Sequence, residues 1–121
     1  GYENRTTAIR IPAGDVSSIR IEHRVSGADA NPYLVAATIL ASALDGIKNK
    51  REPTKEIVGD RSKNSEQLPR FWEESLNTFN DSKFISDYLG VEFQKNFYRC
   101  KRQEKTEFDT RAFALEFDAY I

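Results

Sequence analysis

Two early stretches of the chain, Thr6 to Ile11 and Ser18 to Val25, mix polar residues with Ile, Val and Thr. That composition and its near-alternation predict two strands. Pro12-Ala13-Gly14-Asp15 between them has turn chemistry, so an antiparallel pair is expected. Ser26-Gly27-Ala28-Asp29 is a second break, after which the period changes. Asn31 reads as a helix N-cap with Pro32 at the first helical position, where a missing N–H is no loss. The helix that follows, to about Lys50, is apolar nearly all round through Leu34, Val35, Ile39, Leu40, Leu44 and Ile47. Such a helix is expected to be buried on most faces, and it needs more partner surface than two short strands offer.

The stretch from Lys48 to Gln67 is polar, charged and broken by Pro53 and Gly59, which predicts a long exposed loop. Phe71, Trp72, Leu76 and Phe79 fall at helical spacing and predict a short amphipathic helix. Asp81-Ser82 caps a further turn with Phe84, Ile85, Tyr88 and Leu89, closed by Gly90. A long charged helix runs from Val91, with Phe93, Phe97, Cys100, Phe108 and Leu115 on one face. The expected fold class is α+β: short antiparallel strands at the N-terminus, then a buried helix, a long loop and C-terminal helices.

Composition narrows the picture without naming a function. A chain of 121 residues makes one modest domain or part of a larger one. The formal charge of -1 gives no net field toward nucleic acid or an anionic membrane, so neither is an expected partner. The single cysteine, Cys100, cannot close an internal disulfide, which points to a reducing, cytoplasmic location. Arg5 and Arg10 sit among polar residues, so no signal peptide is expected, and the apolar stretch Tyr33 to Leu44 is too short to span a bilayer. The chain has no methionine and opens directly into patterned sequence, as an excised piece would.

The second strand holds the most informative pattern. Side chains alternate across a strand, so Arg20, Glu22 and Arg24 share one face while Ile19, Ile21, His23 and Val25 share the other. Successive members of the charged row stand about 7 Å apart. A solvated salt-bridge ladder has this pattern, and so does a site for a metal and anionic ligands. A carboxylate suits a hard cation such as Mg²⁺, and guanidiniums contact carboxylate or phosphate oxygens at two points. Arg5 and Arg10 bring more such groups. Five residues apart, they cannot share a face of a regular strand, so Arg5 is expected in the turn that leads into it.

Three segments in order resemble the glutamine synthetase family. Asn4-Arg5-Thr6-Thr7-Ala8-Ile9-Arg10-Ile11-Pro12 is similar to its Asn-Arg-Ser/Thr segment that ends Arg-Ile/Val-Pro, and Arg20-Ile21-Glu22-His23-Arg24 to its Arg-Ile/Val-Glu-x-Arg segment. Ala30-Asn31-Pro32-Tyr33-Leu34 and Leu44-Asp45-Gly46-Ile47 match the helix that follows, and Lys101-Arg102-Gln103-Glu104 resembles part of the last one. Residues 1–121 are therefore expected to be the C-terminal portion of such a catalytic domain. The resemblance implies an ATP-dependent ligase that phosphorylates the γ-carboxylate of glutamate before an amine displaces phosphate. It implies that Arg5 and Arg10 contact the phosphates of ATP and the transferred phosphoryl group, with Arg5 catalytic, and that Arg20 also serves the nucleotide. Glu22 would be one ligand of Mg²⁺ or Mn²⁺, and Arg24 would hold glutamate. The parent would be a homo-oligomeric ring with active sites between subunits.

No tyrosine lies between Ile47 and Phe71, so control by nucleotidylation of a loop tyrosine is not expected. The wording of Gly27-Ala28-Asp29-Ala30-Asn31-Pro32 and Leu68-Pro69 is closer to γ-glutamylpolyamine synthetases, which leaves the acceptor as ammonia or an organic amine. Glu3 abuts Asn4, too close to that motif to be the residue of the flap that closes on glutamate. His23 reads as a packed or hydrogen-bonded residue, Cys100 and Trp72 as packing residues, and Lys48, Lys50 and Arg51 as a solvated helix end. The isolated chain is expected to be inactive. A catalytically dead relative that serves as an assembly module is the competing reading.

Overall fold

The structure is a computed structural model that describes residues 1–60 and 67–111; residues 61–66 of the expected loop and Leu115 of the expected apolar face lie outside them. The chain forms two compact units, Gly1–Gln67 and Leu68–Ile121. The fold class is α+β, in the order expected.

In the first unit, β1 (Ile9–Arg10) pairs antiparallel with β2 (Glu22–His23), Ile9 opposite His23 and Arg10 opposite Glu22. Both strands are much shorter than the sequence pattern suggests. Val16–Ser18 instead forms a 3-10 turn, held by the Ser18 N–H and Oγ donating to the Asp15 carbonyl at 2.8 and 2.9 Å. Pro12 has no N–H to continue the ladder, and no further strand is present among the described residues to lengthen it. The residues before β1 fold back instead: Tyr2 bridges to Ile11, and the Glu3 N–H donates to the Ile11 carbonyl at 2.9 Å.

Helix α1 (Pro32–Lys48) starts where its cap predicts, with the Asn31 Oδ1 accepting from the N–H groups of Tyr33 and Leu34. The expectation of burial is met on one side only within this chain. Leu34, Ala37, Thr38, Ala41 and Asp45, a face at helical spacing, are half-buried, whereas Tyr33, Leu40, Leu44 and Ile47 are exposed. Two-residue strands are too small to cover an all-round apolar helix.

The second unit comprises α2 (Trp72–Asp81), α3 (Lys83–Leu89) and α4 (Val91–Asp109), with α2 and α3 both packed on α4. Leu76 and Ile85 form its buried centre, and Phe97 packs on Phe79 and Phe93 with ring centroids 5.0 and 5.6 Å apart. Ser82 ends α2 and caps α3, its Oγ accepting from the Ile85 N–H at 3.3 Å. Gly90 turns the chain from α3 into α4 at φ +93, a conformation that a side chain would strain. Buried Gln94 donates from Nε2 to the carbonyls of Phe79, Asn80 and Ser82 at 2.7, 2.9 and 2.9 Å, which ties α4 to the α2–α3 junction. Cys100 is exposed, contrary to the packing role expected. The covered stripe of α4 runs instead through the half-buried Lys101 and Lys105, with the Lys101 ammonium 5.8 Å from the Phe97 ring centroid.

Candidate anion-handling site

The site grows from the register of the strand pair. Placing Arg10 opposite Glu22 brings the two side chains together, and the Arg10 Nη1 donates to the Glu22 Oε2 at 2.9 Å. Arg20, in the irregular segment just before β2, brings its Nη2 to 3.5 Å from the Glu22 Oε1. Glu22 therefore sits between two guanidiniums. The two differ in surroundings: the Arg10 side chain is 12% exposed and the Arg20 side chain 59%.

Arg10 is gripped from the other side as well. Its Nη2 donates to both carboxylate oxygens of Glu3, at 3.1 and 3.2 Å. The Glu3 carboxylate also accepts from the Ala13 N–H, and Glu3 holds φ +49, a left-handed conformation uncommon for a residue with a side chain. The Ala13 N–H, followed by the pairing with Arg10 and the nearby charge of Arg5, holds the Glu3 carboxyl below its ordinary value against the effect of burial. Desolvation pulls the Arg10 guanidinium down, but the Glu3 hydrogen bond and the two carboxylate charges prevail and hold it above its ordinary value. The Arg10 Nε is buried without a hydrogen-bond partner.

Arg5 lies in the turn before β1, as expected, and is exposed. Its neighbour Asn4 fixes that turn. The Asn4 Nδ2 donates to the carbonyls of Ile57 and Gly59 at 2.9 and 3.1 Å, while its Oδ1 accepts from the Thr6 N–H and hydroxyl at 2.9 and 2.7 Å. A cleft of about 580 Å³ opens there, with Arg5, Tyr2 and residues 56–60 on its walls. Arg24 is anchored through its backbone, the N–H donating to the Ala8 carbonyl at 2.9 Å, and its exposed side chain makes no ion pair among the described residues.

The structure thus joins Arg10, Arg20 and Glu22, places Arg5 close enough to act on Glu3, and leaves the Arg24 guanidinium apart. His23 lies opposite Ile9 and is exposed, so of the two structural roles expected for it the packed one is not seen. Sequence reasoning set Glu3 aside and gave Asn4 no role of its own. The fold-back of Tyr2 onto Ile11, which brings Glu3 to Arg10, leaves no local signal. Asn4 had one, its place beside Arg5 in a recognisable segment.

Among the described residues, no three His, Cys, Asp or Glu side chains lie together as a metal site. Glu22 could supply one oxygen ligand, and the remaining ligands would have to come from outside the described residues. The free guanidiniums suit phosphate and carboxylate oxygens. No described helix is long and apolar enough to cross a membrane.

Comparison with known proteins bears on what these groups serve. The family described as glutamine synthetase, catalytic domain, matches residues 1–120. The chain is 38% identical over 110 residues to the gamma-glutamylputrescine synthetase of Escherichia coli, covering 90% of this chain and 23% of that protein. It is 38% identical to type-1 glutamine synthetase 2 of Dictyostelium discoideum, over 100% of this chain and 24% of the relative. It is 37% identical to a glutamate–isopropylamine ligase of Pseudomonas sp, over 84% of this chain and 23% of the relative. The chain thus spans about a quarter of the length of these relatives.

Proposed function

This chain belongs to the glutamine synthetase catalytic-domain family, and we propose that the whole protein is an ATP-dependent ligase that joins the γ-carboxylate of glutamate to an amine. The observation that carries the reading is the joined set of Arg10, Glu22 and Arg20, with Arg5 beside it, on a strand pair that otherwise has little to bury. Phosphoryl transfer asks for fixed positive charge around the moving group more than for covalent chemistry. Arg5, Arg10 and Arg20 are assigned to the phosphates of ATP and to the transferred group. Arg24, which no ion pair ties down among the described residues, is assigned to the glutamate carboxylate.

Glutamate attacks through its γ-carboxylate oxygen, ADP leaves, and the acyl phosphate is opened by the amine with loss of phosphate. Glu22 is assigned as one ligand of Mg²⁺ or Mn²⁺, which would neutralise phosphate charge when bound. Two of the relatives carry an organic amine in their names and one is a glutamine synthetase, at nearly equal identity. Identity therefore leaves the acceptor open between ammonia and an organic amine. The Gly27–Pro32 wording favours an organic amine, with a polyamine as our assignment.

One observation favours the competing reading of a dead assembly module: both Glu22 oxygens already face guanidiniums, as in a plain salt-bridge network. ADP release by the full-length protein, measured with glutamate and a panel of ammonium, putrescine and longer polyamines, separates the readings. Release that depends on glutamate and an amine supports the ligase. Absence of release with every amine, from protein that is folded and supplied with Mg²⁺ or Mn²⁺, supports the dead relative.

A further inference from the structure

We propose that Glu3 is a positioning residue for this site, one that sets the direction of the Arg10 guanidinium and, through it, of the Glu22 carboxylate. The proposal rests on the ligase reading above and adds to it a residue that the family segments do not include. Four observations carry it. Glu3 contacts Arg10 through both carboxylate oxygens, on the nitrogen that Glu22 leaves free, so the two carboxylates clamp the guanidinium from different sides. The Glu3 carboxylate is itself moored to the backbone through the Ala13 N–H, next to the buried Pro12, so it is not a floating surface partner. The Glu3 backbone is fixed too, through its bond to the Ile11 carbonyl and the neighbouring Tyr2–Ile11 bridge. Finally, Glu3 keeps φ +49, a conformation that persists in a residue with a side chain only where its surroundings determine it.

The consequence concerns the unpartnered donor. With both Nη atoms held by carboxylates, the planar guanidinium cannot rotate, so its Nε–H points in one fixed direction. Removing Glu3 frees the Nη2, lets the guanidinium turn toward solvent, and loosens the 2.9 Å contact that orients Glu22. Glu3 touches no reacting atom in this account.

The test uses the full-length protein and four forms beside the wild type: Glu3→Ala, Glu3→Gln, Arg10→Gln and the double variant Glu3→Ala/Arg10→Gln. Loss of a group that orients a ligating or anion-binding residue lowers activity by about 10–100-fold, and Glu3→Ala is expected to lower kcat within that range with the KM for glutamate little changed. Glu3→Gln keeps an oxygen for the Ala13 N–H but not the charge, so it falls between. In the Arg10→Gln background, Glu3→Ala is expected to have no further effect, because its influence passes through Arg10. Losses that multiply, or a Glu3→Ala enzyme with wild-type kcat, overturn the proposal. Calorimetry with a non-hydrolysable ATP analogue keeps the two ideas apart. Wild-type protein that binds the analogue yet releases no ADP sinks the ligase reading, and the positioning of Arg10 then stands if Glu3→Ala weakens that binding and falls if it does not. Wild-type protein that neither releases ADP nor binds the analogue overturns both.

Discussion

Replacing Gln94 by Met should destabilise the second unit strongly for a change that conserves size and shape. Gln94 is 7% exposed, and its two Nε2 hydrogens serve three carbonyls, those of Phe79, Asn80 and Ser82. The Phe79 and Ser82 carbonyls also accept from the Ser82 and Ser86 N–H groups, both at 3.3 Å, whereas the Asn80 carbonyl, in the last turn of α2, has no backbone donor among the described residues. A methionine fills the volume but donates nothing. Each hydrogen bond lost is worth about 0.5–1.5 kcal/mol net, and a buried acceptor left unsatisfied costs about 1–3 kcal/mol. Two donors removed, with two of the three acceptors keeping another partner, give an expected loss of about 1–3 kcal/mol. Urea unfolding followed by fluorescence of Trp72, the chain's single tryptophan and a residue of α2, reads this directly. Gln94→Glu should be at least as damaging at neutral pH, since it sets a carboxylate among carbonyl oxygens, and should recover on acidification as the group regains a donating hydrogen. A loss below about 0.5 kcal/mol for Gln94→Met would refute the reasoning, because such a loss is that of an ordinary surface substitution.

Three further outcomes follow from single contacts. Asn31→Ala removes the side chain that caps α1 and should cost about 1 kcal/mol in thermal or urea unfolding, whereas Asn31→Asp should be nearly neutral. Asn4→Asp keeps the oxygen that Thr6 uses but loses the amide donors to Ile57 and Gly59, so hydrogen exchange and protease cleavage around residues 56–60 should rise while β1 stays protected. Glu3 has its folded pKa below the ordinary glutamate value of about 4.3, so its contribution is full above that value and is lost as pH falls through the lower folded one. Glu3→Gln should therefore flatten part of the acid limb of a stability–pH curve and leave the neutral limb's shape unchanged.

The sequence was most legible where the deciding interactions are local. Asn31-Pro32 announces α1, Ser82 and Gly90 punctuate α3, and the structure puts these elements where the pattern predicts. Strand length was not legible, because a ladder extends only as far as its neighbours allow, and Ser18 found its hydrogen bonds in a local turn instead. The face of α4 was misjudged at Cys100, since the aliphatic stems of Lys101 and Lys105 cover surface that a count of apolar letters gives to cysteine. At the site, Arg20 does meet Glu22, though from outside the two-residue β2 and without Arg24 of the same predicted row, and Arg5 lies in the turn where it was expected. Glu3 escaped because what brings it to Arg10 is a backbone fold-back with no signature in either residue.

The central claim is that this chain carries the anion-binding part of a glutamate–amine ligase. Its most direct test is ADP release by the full-length protein with ATP, glutamate and an amine, compared between the wild type and Arg5→Ala. Release is expected to require both glutamate and amine and to fall by about 10²-fold or more without the Arg5 charge, as for removal of one preorganised group that stabilises transition-state charge. Release at the wild-type rate from Arg5→Ala, or no release from the wild type with any amine, would contradict it.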